Sequence, residues 1–351
     1  LYINQGNGKF VPDIQALPQI FVSKSCVKAA DVDRDGDLDL FVGGRVEPGK
    51  YPSSVQSFLF RNDSKNGLIR FTDITAQIAP DLMKAGMICD AIFTDINNDD
   101  WPDLVLAGEW MPIVILQNEK GKFRSNAGSE ALKHASGWWN SLVSGDVDND
   151  GDVDYIAGNL GLNTFYRATP EHPLFITAGD FDGNGRFDAV PSLFLPISAK
   201  EKIKKEFPAQ LRDDMIEGIP VMRKRFPDYS TYARSTMEAL FTTQQRKGSF
   251  RLQANHMSSS LIRNDGQGKF TIHALPPEAQ FSMLNGMVLE DFNGDGNLDL
   301  LLNGNDFGTE VPFGRYDALN GLVLLGSGDG NFKPLSIAES GIYIPGNGKG
   351  V

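Results

Sequence analysis

The chain has 351 residues, 41% of them hydrophobic, which is enough to bury a sizeable core in one or two domains. No uninterrupted apolar run approaches the length of a membrane span, so direct membrane insertion is not expected. A formal net charge of −12 argues against sequence-independent binding to nucleic acid or to an anionic membrane surface.

Leu1-Tyr2-Ile3-Asn4, the Gly6-Asn7-Gly8 turn and Phe10 read as a β-hairpin. The chain begins inside this strand-like pattern, so it reads as a fragment, with any export signal outside it. Cys26 and Cys89 each precede an acidic loop and are expected to be small buried thiols rather than a disulfide.

The first acidic loop carries Asp31, Asp33, Asp35, Asp37 and Asp39 at positions 1, 3, 5, 7 and 9. The same positions return as Asp95, Asn97, Asp99, Trp101 and Asp103 in loop 2, and as Asp146, Asp148, Asp150, Asp152 and Asp154 in loop 3. Loop 4 has Asp180, Asp182, Asn184, Arg186 and Asp188; loop 5 has Asp291, Asn293, Asp295, Asn297 and Asp299. Position 6 is Gly36, Gly151, Gly185 and Gly296, with Asp100 as the one substitute; Asp can also visit the left-handed region, at some cost, so loop 2 departs most from the pattern. A mainly apolar strand leaves every loop, and hairpins like the first recur at Leu59–Phe71, Ile115–Phe123, Leu261–Phe270 and Leu324–Phe332.

Strand, acidic loop, strand and hairpin make a four-stranded antiparallel unit, which is a propeller blade. The expected fold is therefore an all-β propeller of seven blades, with six the alternative, forming one domain over residues 1–351. Loops start 64, 51, 34 and 111 residues apart, so the blade of loop 3 is expected to be trimmed in its outer strands near Asn163–Arg167. The first hairpin and the Gly346-Asn347-Gly348 tail are expected to close the ring between them.

From Ser198 to Gly248 the repeat stops and an α-helical insertion is expected. Leu211, Met215 and Ile219 give one apolar stripe, Pro220 interrupts it, Met222 and Phe226 continue it, and Asp228 or Ser230 can cap a second helix. The insertion has 11 Lys/Arg against 7 Asp/Glu. It reads as a helical cap with a solvated basic side or, alternatively, as a partner-binding element.

Hard oxygens at positions 1, 3, 5 and 9, with the backbone carbonyl of position 7, suit Ca²⁺, which takes six to eight oxygen ligands. Zinc would want His or Cys, which the loops lack. Up to five structural Ca²⁺ ions are expected, one for each loop.

These D-x-D-x-D-G-x-x-D loops and their hairpins resemble the FG-GAP/VCBS repeats of integrin α-subunit propellers. Gly137-Trp138-Trp139-Asn140, Gly158–Asn163 and Gly314–Asp317 look like features of bacterial cell-envelope VCBS-repeat proteins related to cartilage acidic protein. The resemblance implies an exported Ca²⁺-binding propeller, located outside the cell, in the periplasm or in the outer envelope. The Phe-Gly and Gly-Ala-Pro segments of integrins are missing, so integrin-like ligand recognition is not carried over.

For chemistry beyond metal, His134 with Trp138, Trp139 and Trp110 forms a candidate ligand surface, because aromatic faces stack on sugars. Core packing is the competing role for these tryptophans. No nucleophile motif or phosphate loop is present, and no carboxylate pair can be singled out for glycosidase work. Three functions follow: a non-catalytic recognition or adhesion module for protein or glycan at the cell surface, a scaffold within a larger envelope protein, or a carbohydrate-active lyase or hydrolase.

Overall fold

Successive residues of one strand show how the sheets are arranged. Leu104 and Leu106 are buried against Phe41, Leu59 and Ile88, while Val105 and Ala107 are buried against Trp139, Leu142 and Tyr155. Side chains alternate across a strand, so a sheet with both faces apolar must be sandwiched between two others. The computed structural model, which describes residues 1–350 except 126–129, 199, 201–202 and 310–313, has this arrangement.

The described residues build five antiparallel sheets, each carrying one acidic loop, and one separate two-stranded hairpin. Helix is confined to short segments, so the fold class is all-β. The five sheets fall short of the six or seven units expected. No helix among the described residues is long and apolar enough to cross a membrane.

Sheet 1 pairs Lys24–Ala30, Asp39–Gly44, Phe58–Asn62 and Phe71–Asp73 in sequence order. Sheet 2 does the same with Met87–Thr94, Asp103–Met111, Val114–Asn118 and Phe123–Ser125, and Gly137–Trp138 adds to its second strand. Sheet 5 runs through Leu284–Glu290, Asp299–Gly304, Leu322–Gly326 and Phe332–Leu335.

Sheet 3 corrects the sequence reading. Its inner strands, Ser141–Gly145 and Asp154–Gly158, take their outer partners from Ser260–Asn264 and Phe270–Ala274. The loop 3 unit is therefore complete. About a hundred residues are inserted between its second and third strands, and they contain the whole of sheet 4. The 34-residue spacing between loops 3 and 4 marks this nesting, not a trimmed unit.

Sheet 4 also differs in strand order. Its loop pair, Leu174–Gly179 and Asp188–Pro196, lies in the middle, flanked by Phe250–Ala254 and Lys204–Pro208. In sheets 1, 2, 3 and 5 the strand leading into the loop is at one side of the sheet, and these leading strands lie next to one another in that order. The cores follow the same series. Ile156 and Leu261 of sheet 3 meet Leu284, Leu300, Leu302 and Leu324 of sheet 5.

The helical segment covers sheet 4 as four short helices, Arg212–Gly218, Met222–Arg225, Tyr229–Ala233 and Met237–Leu240. Met215, Ile219, Met222 and Phe226 pack with Phe181 and Val190 of the sheet, so the apolar stripe has its expected role. Leu211, its first member, remains 47% exposed. Asp228 caps the third helix by accepting from the Thr231 N–H at 2.8 Å. Of the expected insertion, residues 199, 201 and 202 lie outside the described residues.

The expected joining of the first hairpin to the tail is not found among the described residues. The hairpin of Tyr2–Asn4 and Phe10–Pro12 pairs only within itself. The tail instead runs along sheet 5, where the Asn305, Asn285 and Asn303 side-chain amides donate to the carbonyls of Gly346, Gly348 and Gly350. Cys26 and Cys89 are free thiols on neighbouring strands, and burial pushes the Cys89 thiol up to about 12.

Candidate functional site

Each acidic loop is held by the same set of backbone N–H donors. In loop 1 the Asp31 carboxylate accepts from the N–H of Asp35 at 3.1 Å and of Gly36 at 3.0 Å. Asp95, Asp146, Asp180 and Asp291 do the same with positions 5 and 6 of their own loops. Position 5 then accepts from the N–H of position 7, as Asp35 does from Asp37 and Asp150 from Asp152. Donation to position 1 needs a left-handed residue at position 6, and Gly36, Gly151, Gly185 and Gly296 have φ of 97°, 95°, 81° and 89°. Asp100 takes the same region at 65° and donates to Asp95 at 2.7 Å, so loop 2 shares the geometry of the other loops.

Position 9 has a second role that the pattern does not show. One oxygen of Asp39 accepts from the Val32 N–H at 3.0 Å, and the other accepts from the Asn62 N–H of the outer hairpin at 2.8 Å. Asp103 repeats this with Ile96 and Asn118, Asp154 with Val147 and Asn264, and Asp299 with Phe292 and Gly326. These carboxylates are at most 1% exposed. They tie loops 1, 2, 3 and 5 to their sheets, and Asp39 and Asp154 also face the carboxylates of positions 1 and 3.

Position 3 accepts from the N–H of position 5 in loops 4 and 5, Asp182 at 3.2 Å and Asn293 at 2.8 Å, but loops 1 and 3 differ. The Oδ1 atoms of Asp33 and Asp148, and of Asp37 at position 7, are buried and accept no hydrogen bond. One carboxylate oxygen from each of Asp31, Asp33 and Asp39 lies within 4.8 Å of the others, and the same holds for Asp146, Asp148 and Asp154 and for Asp180, Asp182 and Asp188. In loops 2 and 5 position 3 is an amide: Asn97 donates to Asp99 at 3.1 Å and Asn293 to Asp295 at 3.0 Å. Those two loops therefore concentrate less negative charge than loops 1 and 3.

A buried carboxylate oxygen without a donor is costly, and neighbouring carboxylates add repulsion. Burial, followed by the charge of Asp35, raises Asp33 above the ordinary carboxylate range, and Asp148 is raised by burial and Asp150. Burial lifts Asp39, Asp103, Asp154 and Asp188 from the ordinary 3.8 to about 6, although backbone N–H donors act against it. Asp180 and Asp291 are lowered, chiefly by the N–H groups of Gly185 and Gly296. A divalent cation would supply the missing partner for the position 3 oxygens, so the donor set fits a hard, oxygen-seeking ion.

The raised carboxyls set a pH dependence. In the ion-free fold a position 9 carboxyl at about 6, against 3.8 when unfolded, contributes stability below 3.8 that is lost as pH rises through 6. A cation acts in the opposite sense, because it binds the ionised form. The rise in melting temperature given by calcium over EDTA is expected to shrink steadily between pH 7 and pH 5. Scanning calorimetry of both forms across that range measures it.

The proposed ligand surface does not assemble. Trp139 is 0% exposed, with its ring stacked on His256 at 5.3 Å and its N–H donating to the Ala135 carbonyl. Trp110 is 5% exposed, lies edge-on to Trp138 at 5.0 Å and donates to the Tyr51 hydroxyl at 2.7 Å. His134 points into solvent and faces Glu130 at 3.7 Å. Trp139 and Trp110, packed this way, have no free face for a sugar, and the half-buried Trp138 packs on Trp110 and Tyr166.

Sequence reading missed the network around Trp110. Glu109 accepts from Arg45 and, at 2.9 Å, from Tyr51, joining sheets 1 and 2 at the strand ends away from the acidic loops. Trp110 has φ of +59°, a costly conformation for a bulky residue, and this network holds it there.

Three of the eleven basic residues of the helical segment are used internally. Arg212 donates to the Phe226 and Pro227 carbonyls, Arg225 to Ala239, and Arg246 to Glu238 and Phe241. These guanidinium groups satisfy carbonyls at helix ends, which weakens the case for a dedicated partner-binding element.

Comparison with known proteins places one part of the chain. The family model for the FG-GAP-like repeat matches residues 95–157, which run from loop 2 through loop 3. No curated protein matches the sequence. Among solved structures, the crystal structure of the V. cholerae biofilm matrix protein Bap1 aligns with 98% of this chain at 10% identity and a TM-score of 0.33. This chain spans 65% of that protein's chain.

Proposed function

We propose that the protein is a calcium-held β-propeller module that serves adhesion outside the cell membrane, presenting a non-catalytic surface to protein or glycan. The observation that carries this reading is the set of buried, partnerless carboxylate oxygens at Asp33, Asp37 and Asp148, inside loops that repeat one bonding scheme. Positions 1, 3, 5 and 9 and the position 7 carbonyl would hold the ion. Its charge would balance the clustered carboxylates and tie the strands on either side of each loop.

The series of sheets 1, 2, 3 and 5, with their leading strands adjacent, supports propeller-type stacking in one domain, with sheet 4 and its helices inserted. The FG-GAP-like match in residues 95–157 supports the same reading. The resemblance to bacterial envelope VCBS-repeat proteins related to cartilage acidic protein supports an extracellular or envelope location. A scaffold role within a larger envelope protein is the second reading, favoured by the burial of Trp110 and Trp139 in packing contacts.

The test is capture on immobilised glycans and matrix proteins, in calcium and in EDTA, together with bound calcium measured by equilibrium dialysis. Up to five ions per chain and calcium-dependent capture are the expected results. Bound calcium without capture moves the assignment to scaffold, and turnover of a glycan would overturn both non-catalytic readings.

A further inference from the structure

Position 4 is left-handed in all five loops, and in loops 4 and 5 its N–H, of Gly183 and Gly294, also donates to position 1 at 2.8 and 2.7 Å. Arg34, Asn98 and Asn149 have φ of 61°, 58° and 59°, while Gly183 and Gly294 in loops 4 and 5 have 74° and 77°. A Cβ at either glycine would meet nothing within 4 Å, so space does not decide which residue stands there. A side chain in this conformation carries a backbone cost that glycine avoids. In loops 1, 2 and 3 that side chain reaches position 7 of the next loop in the stacking series.

The guanidinium of Arg34 lies 5.5 Å from the ring centre of Trp101. Asn98 donates to the Asp152 carboxylate at 3.2 Å, and Asn149 donates to the Asn297 side chain at 3.1 Å. The links run from loop 1 to 2, 2 to 3 and 3 to 5, and they pass over loop 4, whose sheet is inserted. Asn149 also lies close against Gly328 of the sheet 5 hairpin, donating to its carbonyl at 3.5 Å, and a Cβ at 328 would sit 2.6 Å from Asn149 Nδ2.

A second set of bonds follows the same order. Asn118 of sheet 2 donates to the Val32 carbonyl in loop 1 at 2.9 Å. Asn264 of sheet 3 donates to the Ile96 carbonyl in loop 2 at 3.4 Å, and the Gly330 N–H of sheet 5 to the Val147 carbonyl in loop 3 at 3.3 Å. Position 2 lies between two ligand positions. Position 7 offers its carbonyl to the ion and its N–H to the position 5 side chain. Loops 1, 2, 3 and 5 are thus each gripped by a neighbour at position 2, position 7 or both.

From these contacts we infer that Arg34, Asn98 and Asn149 are positioning residues that couple cation binding along loops 1, 2, 3 and 5, with loop 4 binding independently. The inference rests on the calcium reading. An ion that orders one loop fixes its position 4 side chain, which then holds the next loop's position 7 in place for its own ion. The coupling is reciprocal, so cutting one link is felt on both sides of it.

Trp101 gives a local readout, because terbium, a hard trivalent ion that accepts oxygen ligands as calcium does, becomes luminescent through an adjacent indole. The experiment titrates Trp101-sensitised terbium emission in the intact protein, in Asn98→Gly and in Asp182→Ala, with Trp101→Phe to assign the signal. Glycine suits the φ at position 98, so Asn98→Gly keeps the backbone while removing the link. The wild-type curve is expected to be steeper than single-site binding. In Asn98→Gly it should flatten, with a midpoint about threefold to tenfold higher, the scale of one hydrogen bond. Asp182→Ala, in loop 4, should leave the loop 2 curve in place. Saturable binding with the same midpoint and single-site steepness in wild type and Asn98→Gly overturns the coupling, as does an equal shift in Asp182→Ala. Failure of terbium and calcium to bind at all sinks the calcium reading itself, a different result.

Discussion

Excess EDTA lowers the melting temperature of the protein by about 10 °C or more, and calcium restores it. The size follows from the two most acidic loops. Loops 1 and 3 each hold five Asp in nine residues, and between them bury three carboxylate oxygens that no protein donor reaches. An ion present at a hundredfold excess over its dissociation constant stabilises the folded chain by about 2.7 kcal/mol per site. Two such sites give about 5 kcal/mol, and each kcal/mol moves the midpoint of a large domain by roughly 2–4 °C. The shift should require calcium and be far smaller with magnesium, which dehydrates reluctantly and demands stricter octahedral geometry. A melt that does not move in EDTA would leave the orphaned oxygens without an explanation and refute the metal reading.

Asp154→Ala destabilises the protein by about 3–5 kcal/mol, more than any substitution at an exposed loop position. Asp154 is 1% exposed and accepts from the Val147 N–H at 3.1 Å and the Asn264 N–H at 2.8 Å. The alanine variant leaves both donors buried and unpaired. It also cuts the bond between the inner pair of sheet 3 and an outer strand 110 residues further along the chain. Urea unfolding of Asp154→Ala beside Asp152→Ala, in EDTA so that the ion contributes to neither, separates this structural role from metal binding. Equal midpoints for the two variants would show that position 9 acts only as a ligand.

The sequence made the loops legible because their chemistry is local. Position 1 needs N–H donors four and five residues on, position 6 needs a left-handed backbone, and both demands fall within nine residues. The hairpins were legible for the same reason, with Asn-Gly or Gly-Asn turns between alternating strands. The partnership of strands across sheet 3 was not. Hydrophobic alternation in Tyr155–Ala157 marks a strand with two buried faces, but it carries no address for Leu261 and Ile262. The tryptophans misled because an aromatic cluster has the same composition in a core as on a binding face, and only burial tells them apart. Position 4 was invisible for a related reason. Arg34, Asn98 and Asn149 look like ordinary turn residues until a loop distant in sequence, as far as 148 residues for Asn149, is brought alongside.

The nesting of sheet 4 within sheet 3 also constrains the order of assembly during synthesis. Ser141–Gly145 and Asp154–Gly158 leave the ribosome well before Ser260–Asn264 exists to pair with Tyr155–Ala157. Meanwhile the nascent chain holds one open sheet edge, which is a template for pairing with another molecule. Sheet 4 and its helices are complete by residue 254 and lie wholly within the interval, so they can form during the wait. Their folding brings Gly158 and Ser260 closer than a disordered hundred-residue loop would, which reduces the entropy that closure of sheet 3 must overcome. The inserted sheet is thus placed to act as a folding clamp for the unit that surrounds it.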